Sequence, residues 1–522
     1  MADQESENSR SRRALGDTDP NLTRVRSRQP EFEERRPLYR DEVPDSGRAR
    51  NTSPDEASQV TTTRPTHSGS RPGSGEAAQV LSTPRLGRRT KLALLIAAVA
   101  AVVVIGLVVG YSALRPPNPA LGLNQAPAGT IGSPAGSAPA SSDPAVLLTD
   151  AQVLTAAQAK AMTPTRGWKV ATTQRGLDDQ SPAAACAPGP GEAQPTPQQT
   201  ILRLLSGSGK NPPGALHRAD AYATPQEAAS AYTLLAGALG GCTMPGAYLL
   251  SGHVVSGLGD QATAAVVRAT AENGTAQFRS VVLNRVGRVV NALDVAQPGA
   301  AVPIAGLARS LAGVTKAQCP IAGGRCSTGV AVQDGPPPLG GDQPGFLAAG
   351  DLPPVGAADA TWAGTLPTRP SADFAGSGCE TTDWATVPAR QRASRTYLLA
   401  DGNPKFGLDN IVVTAASTQA AQALTAKVKA DLDSCARRKL TATVSGLRPV
   451  RGVGAGGVAV TGWAASVLQK TTAGGVLYRV GVASAGNKTV YTFLNPQQQL
   501  NLNDAQWAMV VVRAGQRASQ VR

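Results

Sequence analysis

Residues 223–242, ATPQEAASAYTLLAGALGGC, and residues 416–435, ASTQAAQALTAKVKADLDSC, are two versions of one segment. Each begins with a helix-start signature, Thr224 before Pro225 and Ser417 before Thr418, where a side-chain oxygen can cap free backbone N–H groups. Ala228, Ala231, Leu235 and Leu239 make an apolar stripe in one, and Ala421, Leu424, Val428 and Leu432 make it in the other, the spacing of a helix with one buried face. Each ends on a cysteine that follows an earlier cysteine by 56 positions: Cys186 to Cys242, and Cys379 to Cys435.

The likeness extends on both sides. Downstream, VVRATAENGTAQFRSVVLNRVGRVVNALDV (266–295) and SVLQKTTAGGVLYRVGVASAGNKTVYTFLN (466–495) both read as strand, turn, strand, turn, strand. Phe278-Arg279 aligns with Tyr478-Arg479, and a terminal helix is predicted at about 304–317 and again at 503–519. Upstream, LLTDAQVLTAAQAKAMTP (147–164) is loosely echoed by FLAAGDLPPVGAADATWAG (346–364). This is an internal duplication. The predicted fold class is α+β, with two duplicated lobes, 146–326 and 346–522, each an antiparallel sheet buried on one side by packed helices. An open sheet of that kind leaves one face or a groove for ligands. The Pro/Gly-rich stretch 327–345 reads as a linker.

Six cysteines permit fifteen pairings. The duplication selects Cys186–Cys242 and Cys379–Cys435, which leaves Cys319–Cys326 to close a small ring. No CxxC thiol pair and no zinc-like histidine pattern accompanies them.

All six cysteines follow the apolar run LALLIAAVAAVVVIGLVVGYSAL, 92–114, long enough to cross about 30 Å of hydrocarbon as a helix. Arg85, Arg88, Arg89 and Lys91 precede it closely and only Arg115 follows, which orients the N-terminus to the cytoplasm. The expectation is a single-pass protein of the cell membrane. Residues 1–91 form a disordered cytoplasmic tail, 92–114 the transmembrane helix and 115–145 a Pro/Ala/Gly-rich stalk, with the cysteine-bearing lobes on the oxidising, extracytoplasmic side. The tail holds 17 Lys/Arg against 14 Asp/Glu, so +11 of the chain's +14 charge lies beyond it. Arg390, Arg392 and Arg395, and the run Arg437, Arg438, Lys439, could face an anionic envelope polymer or lipid. Without interleaved aromatics or a nucleic-acid motif, no nucleic-acid partner is expected.

Catalytic signatures are weak. His67 lies in the tail, His217 in a Pro/Gly-rich stretch and His253 in SGHVVSG. No HExxH or Gly-x-Ser-x-Gly pattern occurs, and Gly207-Ser208-Gly209-Lys210 imitates only the end of a phosphate loop. Asp373, Glu380, Asp383, Asp401 and Asp409 cluster in sequence as turn or capping residues. Trp168, Trp384, Trp463 and Trp507 are read as core. No catalytic, cofactor-binding or metal residue is assigned.

The second lobe, through GCETTDW (378–384), FGLDNIVVTAASTQAAQALTAKVKADLDSC (406–435) and 476–519, resembles a membrane-anchored actinobacterial sensor-domain protein, specifically the extracellular sensor domain of mycobacterial Ser/Thr protein kinase H. The first lobe is similar through Cys186, 220–242 and 266–317. The resemblance implies an antiparallel sheet with flanking helices around a cleft, held by disulfides, that recognises an extracellular ligand. It brings no kinase: the chain has no Gly-rich loop with its Lys, no HRD-type loop and no DFG. The family's sensor domain carries two disulfides, against one long bridge per lobe here. The expected function is therefore a non-enzymatic, membrane-anchored ligand-binding or sensor-like protein. Its partner would be an extracellular small molecule, an envelope component or an exported protein. A structural or accessory role in a cell-envelope assembly is the alternative, and an extracellular hydrolase, needing a spatially assembled carboxylate or His/Ser site, ranks third.

Overall fold

The computed structural model describes residues 148–521 except 189–193, 271–273, 357–360, 401–405, 473 and 498. The tail, the 92–114 span and the stalk lie outside the described residues. By its contacts the chain divides into residues 1–133 and 134–522, and both lobes belong to the second unit. No helix among the described residues is long and apolar enough to cross a membrane.

In chain order the first lobe runs α1 (Ala156–Ala159), β1 (Trp168–Arg175), β2 (Gln199–Gly207), β3 (Gly214–Ala221), α2 (Pro225–Gly241), β4 (Tyr248–Ser256), β5 (Gln261–Thr270), β6 (Ala276–Val286), β7 (Val289–Pro298), α3 (Ile304–Ala322) and β8 (Ala331–Gly335). The second runs β9 (Trp362–Gly364), β10 (Gln391–Leu399), β11 (Gly407–Thr414), α4 (Thr418–Arg438), β12 (Ala442–Val453), β13 (Ala459–Thr471), β14 (Gly474–Ala485), β15 (Lys488–Leu494) and α5 (Asp504–Ala518). The sheet orders are β1-β2-β3-β7-β6-β5-β4-β8 and β9-β10-β11-β15-β14-β13-β12. Apart from the extra edge strand β8, these are one topology used twice, with every pairing antiparallel. The helix starts are capped as their sequences imply: Thr224 Oγ1 accepts from Glu227 N–H and Ser417 Oγ from Ala420 N–H.

Helices cover both faces of each sheet, not one. On β6, Val281 and Leu283 pack with α2, whereas Val282 packs with α3. On β14, Val480 and Val482 pack with α4, whereas Ala483 and Ala485 pack with α5. The cause lies in the inner strands, whose near-continuous apolar runs such as Val281-Val282-Leu283 present greasy side chains to both sides. No open sheet face is left for a ligand over these central strands.

The disulfides are Cys186–Cys242, Cys319–Cys326 and Cys379–Cys435, the pairing that the duplication selects. The aligned dipeptides Phe278-Arg279 and Tyr478-Arg479 are out of register by one. Counting back from the turns, Val286 opposite Val289 corresponds to Ala485 opposite Lys488, so Arg279 matches Tyr478. A one-residue slip reverses the face of a strand side chain. Arg279 accordingly pairs with Asp294 on the α2 side of its sheet, while Arg479 reaches Asp504 at the start of α5.

The 327–345 stretch also differs from a free linker. Residues 331–335 are β8, hydrogen-bonded to β4, and Pro336 to Leu339 then run tightly against the first lobe. A Cβ on Gly240 would lie 2.2 Å from Pro338 O, and one on Gly252 2.3 Å from Pro337 N, so only glycine admits this approach. From the second lobe, Gln516 Nε2 donates to Gly335 O and Gln520 Nε2 to Pro337 O.

Candidate anion-binding site

Of the cationic clusters read from sequence, one becomes a pocket. Arg390 and Arg392, at the entry to β10, line a cavity of about 530 Å³ together with Arg369, Thr414, Phe346 and Lys488. No Asp or Glu lines it. The ladder sets Gln391 opposite Thr414 and Arg392 opposite Val413, so Arg395 shares the sheet face of Thr414 and Lys488 while the Arg392 side chain leaves by the other face. Arg395 is buried, donates through Nε to Thr365 O at 2.8 Å and pairs with Asp342. Its register counterpart Arg203 does the same in the first lobe, bonding Leu154 O and pairing with Asp150. Arg395 is therefore a strut that ties the segment before the sheet to the sheet, not a member of the pocket.

Lys488 is the unusual member. It opens β15 immediately after the Gly486-Asn487 turn, with Gly486 at φ 58°. The ladder sets it opposite Thr414 on β11, and its Nζ donates to Thr414 Oγ1 at 3.0 Å. The residue is only 4% exposed. Among the described residues no carboxylate forms an ion pair with it, and burial pushes its ammonium pKa below the ordinary lysine value. The first lobe supplies the control. The corresponding ladder position there is Ala221 opposite Val289, both fully buried in an apolar cluster. The same architecture thus accepts a valine, yet the second lobe holds a cation in its place. A buried charge without a partner is costly, so the position is paid for by something other than packing. Arg369 and Arg390 add guanidinium groups that make no hydrogen bond or ion pair among the described residues; Arg392 is held by Val387 O.

The remaining residues singled out from sequence are dispersed. Glu380 accepts from Ser377 N–H and from the Tyr491 hydroxyl, and Asp383 accepts from Ala385 N–H and Thr386 Oγ1, so these two act locally. Asp373 receives no such role, Asp409 accepts from Thr396 Oγ1 with its pKa raised by burial, and Asp401 lies outside the described residues. Trp384 packs on Tyr491 with ring centroids 4.6 Å apart, and Trp507 donates to Val480 O. Trp168 donates to Thr163 Oγ1, while Lys429 sits over Trp463. Arg438 closes the end of α4 by donating to Cys379 O and Asp431 O, with Arg437 and Lys439 exposed beside it.

The two described histidines have opposite characters. His217 is fully buried: its Nδ1 accepts Leu154 N–H at 3.2 Å, and its Nε2 faces Asn291 Oδ1. Burial pulls its pKa down to about 4. Asn291 in turn exchanges two amide hydrogen bonds with Gln318, so this histidine belongs to a buried structural network. His253 lies between Ser251 Oγ at 2.9 Å and Asp334 Oδ1 at 3.3 Å. Asp334 comes from β8, inside the stretch read as linker, so no sequence spacing pointed to this trio. Lys488 was missed for a different reason: aligning Gly287-Arg288-Val289 with Gly486-Asn487-Lys488 would have shown a lysine standing where its sister has valine. Among the described residues no group of three His, Cys, Asp or Glu is placed to hold a metal ion.

The chain matches no family model, no curated protein and no solved structure, and its functional reading rests on this geometry.

Proposed function

We propose that the protein is a membrane-anchored, extracytoplasmic binding protein, sensor-like in organisation, whose second lobe captures a phosphate-bearing ligand of the cell envelope. The observation that carries the reading is Lys488: a buried ammonium without a carboxylate partner, lining a cavity with Arg369, Arg390 and Arg392. The Arg369 and Arg390 guanidinium forks beside one ammonium match the several oxygens of a phosphate or pyrophosphate group. Pro344 and Gly345 also line the cavity, as does Val521 near the C-terminus, so occupancy would be felt by the segment that joins the lobes. The sequence reading of 92–114 as a membrane span sets the binding lobes outside.

The test is calorimetric titration of the full-length protein with inorganic pyrophosphate at low ionic strength. Binding is expected, weakened about tenfold or more in Lys488→Met, and weakened also in Arg390→Gln, which alters an unpartnered side chain. Absence of binding to the natural protein, or equal binding by both variants, would reject the proposal.

A further inference from the structure

A second cavity, of about 520 Å³, lies between the lobes. Leu250, Ser251 and Asp334 line it from the first lobe, and Arg448, Arg451 and Arg513 from the second. Its chemistry begins with an irregularity in β4. The register jumps from Leu249 opposite Val267 to Ser251 opposite Val266, which makes Leu250 a bulge. Bulges of this kind re-aim the side chains that follow them. Ser251 and His253, two apart, then share one face, and the extra strand β8 sets Asp334 directly opposite His253.

The contacts fit one tautomer. With the ring proton on Nδ1, which lies 3.3 Å from the Asp334 carboxylate, Nε2 carries the lone pair and accepts the Ser251 hydroxyl proton. Burial holds the His253 pKa below its ordinary value, opposed by the Asp334 carboxylate and reinforced by the Arg513 guanidinium. The ring is thus neutral near pH 7, the form a general base requires. Arg513 is 2% exposed and donates through Nη2 to Leu249 O and Leu250 O. Its cation is therefore fixed beside the bulge that carries the serine. Arg513 Nε and Nη1 make no hydrogen bond, and the nearest carboxylate, Asp351, stands 3.7 Å from Nε.

From this geometry we infer that Ser251, His253 and Asp334 form a hydrolytic centre that cleaves a carboxylic ester bearing a negative charge. The order serine, histidine, aspartate is that of nucleophile, base and orienting acid. Ser251 Oγ attacks the ester carbonyl carbon while His253 Nε2 takes its proton. The carbon–oxygen bond to the alcohol breaks, and His253 returns the proton to the departing alkoxide. Water, deprotonated by His253, then cleaves the acyl-serine to release the carboxylic acid and restore Ser251. The Arg513 charge stabilises the negative charge that builds up beside the nucleophile. Arg448 and Arg451, with Asp334 as the only acid in the lining, select an anionic substrate.

The test treats the full-length protein with a fluorophosphonate probe and maps the labelled peptide, alongside turnover of 4-nitrophenyl hemisuccinate and neutral 4-nitrophenyl acetate. Label is expected on Ser251 and absent in Ser251→Ala. Turnover should fall about 100-fold or more in His253→Gln and Asp334→Asn, with a pH profile that rises as His253 loses its proton. Asp334 is mostly exposed, so its substitution keeps the test valid should His253→Gln fail to fold. Arg451→Gln should raise KM for the hemisuccinate several-fold more than for the acetate. Label at any other residue, no label, or undiminished turnover in Ser251→Ala would overturn the inference. None of these residues lines the Lys488 pocket, so either proposal can fail alone.

Discussion

Arg517 and Asp351 form a two-point ion pair: Nε donates to Oδ2 at 2.8 Å and Nη2 to Oδ1 at 3.0 Å, with both side chains almost wholly buried. The same guanidinium donates to Pro338 O and to Gly240 O. One side chain on the last helix of the second lobe therefore holds the connecting segment and the end of α2 in the first. Asp351 also accepts from Ala348 N–H, which leaves its carboxylate well supplied with donors.

Removing one partner of such a pair strands the other. Arg517→Met is expected to cost about 3–5 kcal/mol. Adding Asp351→Leu should recover part of that loss by removing the stranded carboxylate, less what buried Arg513 loses with its carboxylate 3.7 Å away. Urea unfolding of the two single variants and the double variant measures the coupling; additive losses would show that the pair acts independently.

His217 predicts an acid limit to stability. The unfolded chain takes up this proton near pH 6.5, whereas the folded chain resists it until about pH 4. Between those values the unfolded state binds more protons, so stability falls as the pH falls, by about 3 kcal/mol across the window. Unfolding free energies at pH 7 and pH 4 should differ less in His217→Gln than in the natural protein. An unchanged difference would show that other groups govern the acid limb.

The long disulfides should matter more than the short one. Cys379–Cys435 spans 56 positions and Cys319–Cys326 spans 7. On the chain-entropy model the first contributes about 4 kcal/mol and the second between about 2 and 3 kcal/mol. Replacing each pair by serine and comparing thermal unfolding tests the order. A larger loss from the short ring would point to its contacts at the end of α3.

Lys488→Met should separate stability from binding. The substitution removes an uncompensated buried ammonium, so the variant is expected to be as stable as the natural protein or more stable by about 1 kcal/mol, while pyrophosphate binding weakens about tenfold or more. A strongly destabilised variant would mean that the Lys488–Thr414 hydrogen bond is structural.

Much of the architecture was legible because duplication repeats its own signals. Thr224 and Ser417 mark matching helix starts, and the 56-residue spacing selects the disulfides. The two-sided burial of the sheets was less legible. Alternation in Val281-Val282-Leu283 is invisible when both faces are apolar, and the face of Arg279 turned on a register that only hydrogen-bonding defines. The candidate sites were hidden for the same reason. Arg390 and Arg392 stand out in sequence as a basic cluster, but Lys488, some hundred positions away, comes to line the same cavity only because β15 pairs with β11.

By itself the sequence determined what is local or repeated: the capped helices, the cysteine pairing, the twofold α+β plan and the apolar run at 92–114. Those properties follow from short-range periodicity and from comparison of one half with the other. Tertiary structure decided which charges lose their solvent and which side chains meet across the sheets. Strand order brings Lys488 to Thr414 and β8 brings Asp334 to His253. Neither meeting has a signature in linear spacing, because it is created by hydrogen-bond ladders between segments that the chain joins only through long connections.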